Sequence, residues 1–169
     1  MKSEKLQRIL GIDPGYGRTG WGVIEKIKGE WVLVAYGCIE TSVKDPFVDR
    51  LVELYNELQK LIKKYEPARV GVEELFFAKN VKTAMKVGQA RGVIILTCMQ
   101  AGLIVNEFTP LQVKQALTGY GRAEKSQVQK MVEMILKIKK KISPDDAADA
   151  LAIAITTGAS MKFNSKTGN

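Results

Sequence analysis

A chain of 169 residues with 46% hydrophobic and 26% charged side chains suits one domain of ordinary size with a buried core, and excludes a disordered tail or a fibre. It holds no histidine, which rules out Ser-His-Asp, Cys-His and HExxH chemistry and leaves carboxylates, lysines, tyrosines or metal ions to carry any catalysis. The net charge of +8 is unevenly spread: the first 75 residues hold 12 basic and 12 acidic groups, residues 76–92 four basic and none acidic, and residues 111–141 eight basic and two acidic, as expected of a surface that meets a polyanion.

Residues 8–13 (RILGID) are predicted as a strand ending in a Gly/Pro turn, residues 20–27 as a second and residues 30–41 as a third, with turns short enough for antiparallel hairpins. Asp45 is the expected cap of a helix with Pro46 at its first position, its apolar stripe formed by Val48, Leu51, Tyr55, Leu58, Ile62 and Tyr65. Residues 69–73 (RVGVE) read as a short strand, 81–101 as a helix and 103–108 as another strand. Pro110 opens a short helix that ends near Gly119, and residues 125–138 form one with Val128, Met131, Val132 and Ile135 inward. Ser143 caps the last helix, which is expected to run to about Thr157. The order βββ-α-β-α-β-α-α-α implies an α/β domain over residues 1–158 with a mixed five-stranded sheet, and a polar tail over 159–169 that frays. Right-handed crossovers place the strand at Val70 beside the first strand and parallel to it.

The longest apolar stretch, residues 92–105, is interrupted by Thr97, Gln100 and Gly102 and falls short of the ~18 to 20 residues of a membrane span. The first residues lack the apolar region of a signal peptide, so a cytoplasmic protein is expected. Cys38 and Cys98 have neither CxxC spacing nor a nearby histidine, so neither a disulfide nor a zinc site is expected.

Asp13 and Glu73 end the first and fourth predicted strands, and neighbouring strands lie ~4.8 Å apart, so both carboxylates can reach one point. Asp146 and Asp149 are three apart on the last helix and share a face. Four acids beside a basic surface repel one another unless cations are bound, and oxygen-only ligands select Mg²⁺ or Mn²⁺. Simpler readings stand beside this one. Capping alone explains Asp145 and Asp146 after Ser143 and Pro144, and Asp13 can be a turn-former before Pro14. Capping explains Asp149 less well, a turn deeper in an Ala-rich segment, and Glu73 follows apolar Val70 and Val72 where a strand enters the sheet centre.

In unbroken order from about residue 9 to residue 157, ILGIDPGYGRTGWGVI, GVEELFFAKN, KVGQARGVI, VKQALTGYGRAEKSQVQKMV and DDAADALAIAI closely resemble the RuvC family of bacterial Holliday junction resolvases. The resemblance implies an RNase H-like fold, a homodimer, Mg²⁺ and paired nicks in four-way DNA junctions that leave 5′-phosphate and 3′-hydroxyl ends. It also implies partnership with a branch-migration motor, RuvA and RuvB. Its acidic motif falls on Asp13, Glu73, Asp146 and Asp149, its functional lysines on Lys114 and Lys125, and its strand-contacting aromatic on Phe76, with Phe77 the alternative. Phosphodiester hydrolysis by two metals ~3.5 to 4 Å apart makes Asp13 the natural bridge, with Glu73 on one ion and Asp146 and Asp149 on the other. Lys79, Lys82, Lys86 and Arg122 complete the expected DNA-contacting set; the plainer reading of such residues is a solvated charged face, and of the two phenylalanines, core. Gly88 and Gly92, four apart on one face of a helix, suit either close packing on the protein's own sheet or approach of a second subunit, and the resemblance favours the subunit. Two rivals remain: an actin-like kinase, which shares the fold and a GIDxG opening but needs two such domains, and a non-catalytic junction-binding module, which has no use for Glu73 and Asp149.

Overall fold

The computed structural model describes residues 7–74 and 80–164. Strands β1 (Arg8–Asp13), β2 (Arg18–Ile27) and β3 (Glu30–Glu40) form an antiparallel meander. Helix α1 (Phe47–Tyr65) leads to β4 (Arg69–Glu73), α2 (Val81–Gln100) to β5 (Ile104–Phe108), and α3 (Pro110–Thr118), α4 (Lys125–Ile135) and α5 (Asp145–Asn164) follow. The sheet order is β3-β2-β1-β4-β5, with β4 parallel to both β1 and β5, as the right-handed crossovers require.

Strand alternation divides the core in two. Leu10, Ile12, Val23, Val70 and Val72 face α1 and α2, where they meet Leu54, Leu58, Ala90, Ile94 and Cys98. Ile9 and Ile24 face the other way, against α3, α4 and α5. Helix α5 is apolar nearly all round, and every residue from Ala150 to Gly158 is buried, so it forms the centre of that layer. Among the described residues no helix is long and apolar enough to cross a membrane, and both cysteines are free.

Three helix boundaries differ from the sequence expectation. Helix α1 starts at Phe47 with extended Pro46 in the cap position and no side-chain cap from Asp45. Its buried stripe runs through Arg50, Leu54 and Leu58, leaving Val48 exposed. The guanidinium of Arg50 is buried because partners await it: its Nη2 donates to the Tyr16 carbonyl at 2.7 Å and its Nε to the Thr41 hydroxyl at 3.0 Å, and the rings of Tyr16 and Phe47 lie within 6 Å. Helix α4 ends at Ile135, not residue 138, because Lys137 turns left-handed and the Ile138 N–H closes back onto the Glu133 carbonyl at 2.8 Å. Helix α5 continues past Thr157 to Asn164, since the hydroxyls of Thr156 and Thr157 donate to the carbonyls of Ala152 and Ile153 within the helix, each at 2.8 Å. Residues 165–169 lie outside the described residues.

Candidate active site

Alternation puts Gly11 and Asp13 of β1, Gly20 and Gly22 of β2, and Gly71 and Glu73 of β4 on the face that α5 covers. The glycines let the helix settle on the sheet. A Cβ at Gly11 would lie 1.9 Å from the Ala150 carbonyl oxygen, and one at Gly20 2.0 Å from that of Asp146. Contact this close lowers Asp146 and Asp149, on the first two turns of α5, onto the carboxyl ends of β1 and β4, where Asp13 and Glu73 stand. The acidic pattern read from the sequence is thus brought to one place by elements from opposite ends of the chain, while Asp145 stays exposed at the helix start.

The electrostatics record the convergence. Burial, then the charges of Glu73 and Asp149, a hydrogen bond shared with Glu73 and the charge of Asp146 push Asp13 up to about 8. Burial also raises Glu73, against the opposing hydrogen bond with Asp13 and the charges of Lys125 and Lys114. Asp149 is raised by burial and held back by Lys125. Lys125, the first residue of α4, places its Nζ 3.1 Å from Asp149 Oδ2 and 4.0 Å from Asp145 Oδ2. Arg18 occupies Asp146 from the other side, with Nε 3.6 Å from Oδ2, and reaches Glu40 at 3.3 Å.

Among the described residues no three acidic or sulfur side chains stand in position to hold a metal ion. The donor set nonetheless fits a hard divalent cation. All four side chains offer oxygen only, and the repulsion and burial that raise Asp13 are what a nearby dication would relieve. The pH dependence follows from the sign of the shifts. Asp13, Glu73 and Asp149 all have folded pKa values above their ordinary values, so ionising them costs folded-state stability: it is greatest below the ordinary carboxylate range and declines as pH rises towards about 8. Melting temperature of metal-free protein should fall from pH 5 to pH 8.5, and millimolar Mg²⁺ should recover more of it at pH 8.5 than at pH 5. A melting temperature independent of both would contradict the clustering.

Among the other predicted residues, Lys82 and Lys86 are exposed on the first turns of α2, as is Arg122 beyond α3. The Lys86 Nζ lies over the rings of Tyr16 and Phe47, at 5.7 and 5.5 Å, which ties this patch to the loop that follows Asp13. Phe76, Phe77 and Lys79 lie outside the described residues. Gly88 is half-buried and Gly92 exposed. A Cβ at Gly92 meets nothing within 4 Å, so packing on the protein's own sheet does not account for that glycine. Arg18, Arg50 and Arg91 escaped the sequence reading; their only signal is positive charge, and the partners that define them come from distant segments.

The family model described as crossover junction endodeoxyribonuclease RuvC matches residues 9–157. A protein of that name from Roseiflexus sp. (strain RS-1) is 55% identical over 148 residues, 88% of each chain. Another, from Caldicellulosiruptor saccharolyticus, is 55% identical over 149 residues, 88% of this chain and 90% of its own. The structure of T. thermophilus RuvC in complex with Holliday junction substrate superposes with a TM-score of 0.88 at 35% identity, over 94% of this chain and 96% of that one. The chain therefore belongs to the RuvC family of crossover junction endodeoxyribonucleases, enzymes with an RNase H-like fold that hydrolyse DNA phosphodiester bonds at Holliday junctions.

Proposed function

We propose that Asp13, Glu73, Asp146 and Asp149 hold two divalent cations per site, Mg²⁺ with Mn²⁺ as a substitute, and that a homodimer uses two such sites to nick a four-way junction symmetrically. The observation that carries the reading is the meeting of four carboxylates under α5, three of them raised by burial and mutual charge, beside the two lysines. Bound cations supply a nucleophile from water at neutral pH and stabilise the leaving oxygen. Water oxygen joins phosphorus as the bond to the 3′-oxygen breaks, that oxygen takes a proton, and the products carry 5′-phosphate and 3′-hydroxyl ends.

The chain's own residues do the rest. Lys125, anchored on Asp149, and Lys114, near enough to Glu73 to lower its pKa, place positive charge where the phosphate gathers negative charge. Lys82, Lys86 and Arg122 give the strand phosphates a track to the site, and Phe76, Phe77 and Lys79 belong to the same track by their place in the family motif. Family membership supports action in the cytoplasm beside the branch-migration motor RuvA and RuvB.

Support for the dimer comes from the outer face of α1 and α2. Val52, Leu96 and Met99 are exposed there, an apolar groove of about 200 Å³ lined by Leu51, Val52, Tyr55, Val93, Leu96 and Thr97 opens between the helices, and Gly92 leaves room for another backbone. Two-fold symmetry of the junction matches an isologous pair. Gly92→Leu, with Gly88→Leu added, should sediment as a monomer at micromolar concentration and accumulate singly nicked cruciform plasmid. Gly92→Leu alone should not unfold the protomer, because a helical glycine gives up ~1 kcal/mol relative to Ala. Paired nicking by a monomer would refute the dimer.

The deciding assay is the divalent-cation dependence of cutting of a synthetic four-way junction. Cutting at paired positions, only with divalent cation, is expected. Cutting without divalent cation would refute the two-metal reading, and cutting of one strand only the paired-site reading. Removing charge at Lys82 and Lys86 should flatten the dependence of log affinity on log salt by up to ~0.9 per lost duplex phosphate contact. An unchanged slope would mark these lysines as a solvated face.

A further inference from the structure

Helix α2 lies on the sheet face opposite α5, yet one of its side chains reaches through to the catalytic strand. Arg91 Nε donates to the backbone carbonyl of Glu73 at 3.0 Å, and its Nη2 pairs with the carboxylate of Glu107 on β5. Its side chain is only 17% exposed, and the two acceptors sit on neighbouring strands, spanned by the planar fork that only arginine provides.

We propose that Arg91 is a positioning residue for Glu73, holding the end of β4 from behind so that the carboxylate stays in the metal-binding cluster. The need for such a clamp is visible in the strand. Glu73 is the last residue of β4, and past it the ladder keeps one more bond, from the Glu74 N–H to the Phe108 carbonyl at 2.8 Å. Strand ends open most readily, and this one carries a carboxylate that Asp149 repels. Arg91 fixes the backbone on the far side, and Glu107 keeps the guanidinium from swinging out to solvent. Arg91 touches no substrate and acts through Glu73 alone.

The inference rests on the metal reading above, and the test separates the two. Mn²⁺ binding to DNA-free protein, followed by calorimetry or electron paramagnetic resonance, is measured for wild type, Arg91→Ala and Arg91→Lys, alongside the Mg²⁺ dependence of cutting and junction affinity without metal. Losing an outer partner of a metal ligand costs ~10- to 100-fold in metal affinity or activity, so both Arg91 variants should bind Mn²⁺ at least about tenfold more weakly while holding the junction as wild type does. Millimolar guanidinium should restore part of the cutting by Arg91→Ala and none by a Glu73→Gln control. If Arg91→Ala fails to fold, Arg91→Lys decides, because its ammonium keeps the charge beside Glu107 but cannot span both acceptors. Folded Arg91→Lys with wild-type Mn²⁺ binding, whatever its melting temperature, overturns the proposal and leaves Arg91 as glue between helix and sheet. Wild-type cutting that needs no divalent cation overturns the metal reading and this inference with it.

Discussion

Glu73→Gln should bind four-way junctions as tightly as the wild type and cut them at least about a hundredfold more slowly in Mg²⁺, beyond the upper end of what losing a mere outer partner of a metal ligand costs. The amide keeps the size of the side chain and removes its charge. Junction affinity should be spared because, on the proposed reading, it rests on Lys82, Lys86, Lys114, Lys125 and Arg122, and loss of one negative charge from the site can only favour phosphate. The same substitution should raise the melting temperature of metal-free protein at pH 8, since burial makes the ionised carboxylate unfavourable there. Asp13→Asn should follow suit with a larger gain, its carboxyl being the one pushed up to about 8. Such opposition of stability and activity marks a functional site. A Glu73→Gln protein that cuts at near wild-type rate would remove that carboxylate from the mechanism.

Gly11→Ala should be nearly as damaging, by a different route. The added methyl would meet the Ala150 carbonyl oxygen at 1.9 Å and the Ala154 nitrogen at 2.6 Å, both backbone atoms of α5, so no rotamer change can relieve it. The helix must lift from the sheet. Overpacking of this kind costs ~1 to 3 kcal/mol, a fall in melting temperature of roughly 2 to 12 °C for a chain of this size, and it carries Asp146 and Asp149 away from Asp13 and Glu73. Cutting should therefore fall even at temperatures where the variant is fully folded. A methyl at Gly92, where nothing lies within 4 Å, should do neither harm to the protomer. Retained activity and stability in Gly11→Ala would mean that the contact of α5 with β1 is looser than it stands here.

Much of this was legible in advance, for identifiable reasons. Period-two alternation in RILGID and RVGVE places Asp13 and Glu73 at strand ends on one face, and helical spacing aligns Asp146 with Asp149. The parallel pairing of β1 and β4 follows from crossover handedness. Roles for Lys114 and Lys125 came from family resemblance, since spacing alone does not tell a lysine that faces phosphate from one that faces water. Arg50, Arg18 and Arg91 were illegible because a long cationic side chain is defined by acceptors that only the tertiary fold supplies: the Tyr16 carbonyl, the Asp146 carboxylate, the Glu73 carbonyl. The end of α5 was missed because the two threonines, weak helix formers in isolation, satisfy their hydroxyls on the preceding turn.

The seating of α5 on β1 and β2 also sets when the protein becomes able to cut. Its two acids are separated in the sequence from the strands that receive them by α1 to α4. Contacts between such distant segments form late, after the loops between them have closed. Until α5 has docked, Asp146 and Asp149 stay apart from Asp13 and Glu73, and the proposed cation site is half built. On the proposed reading, completion of the fold and competence to cut therefore coincide.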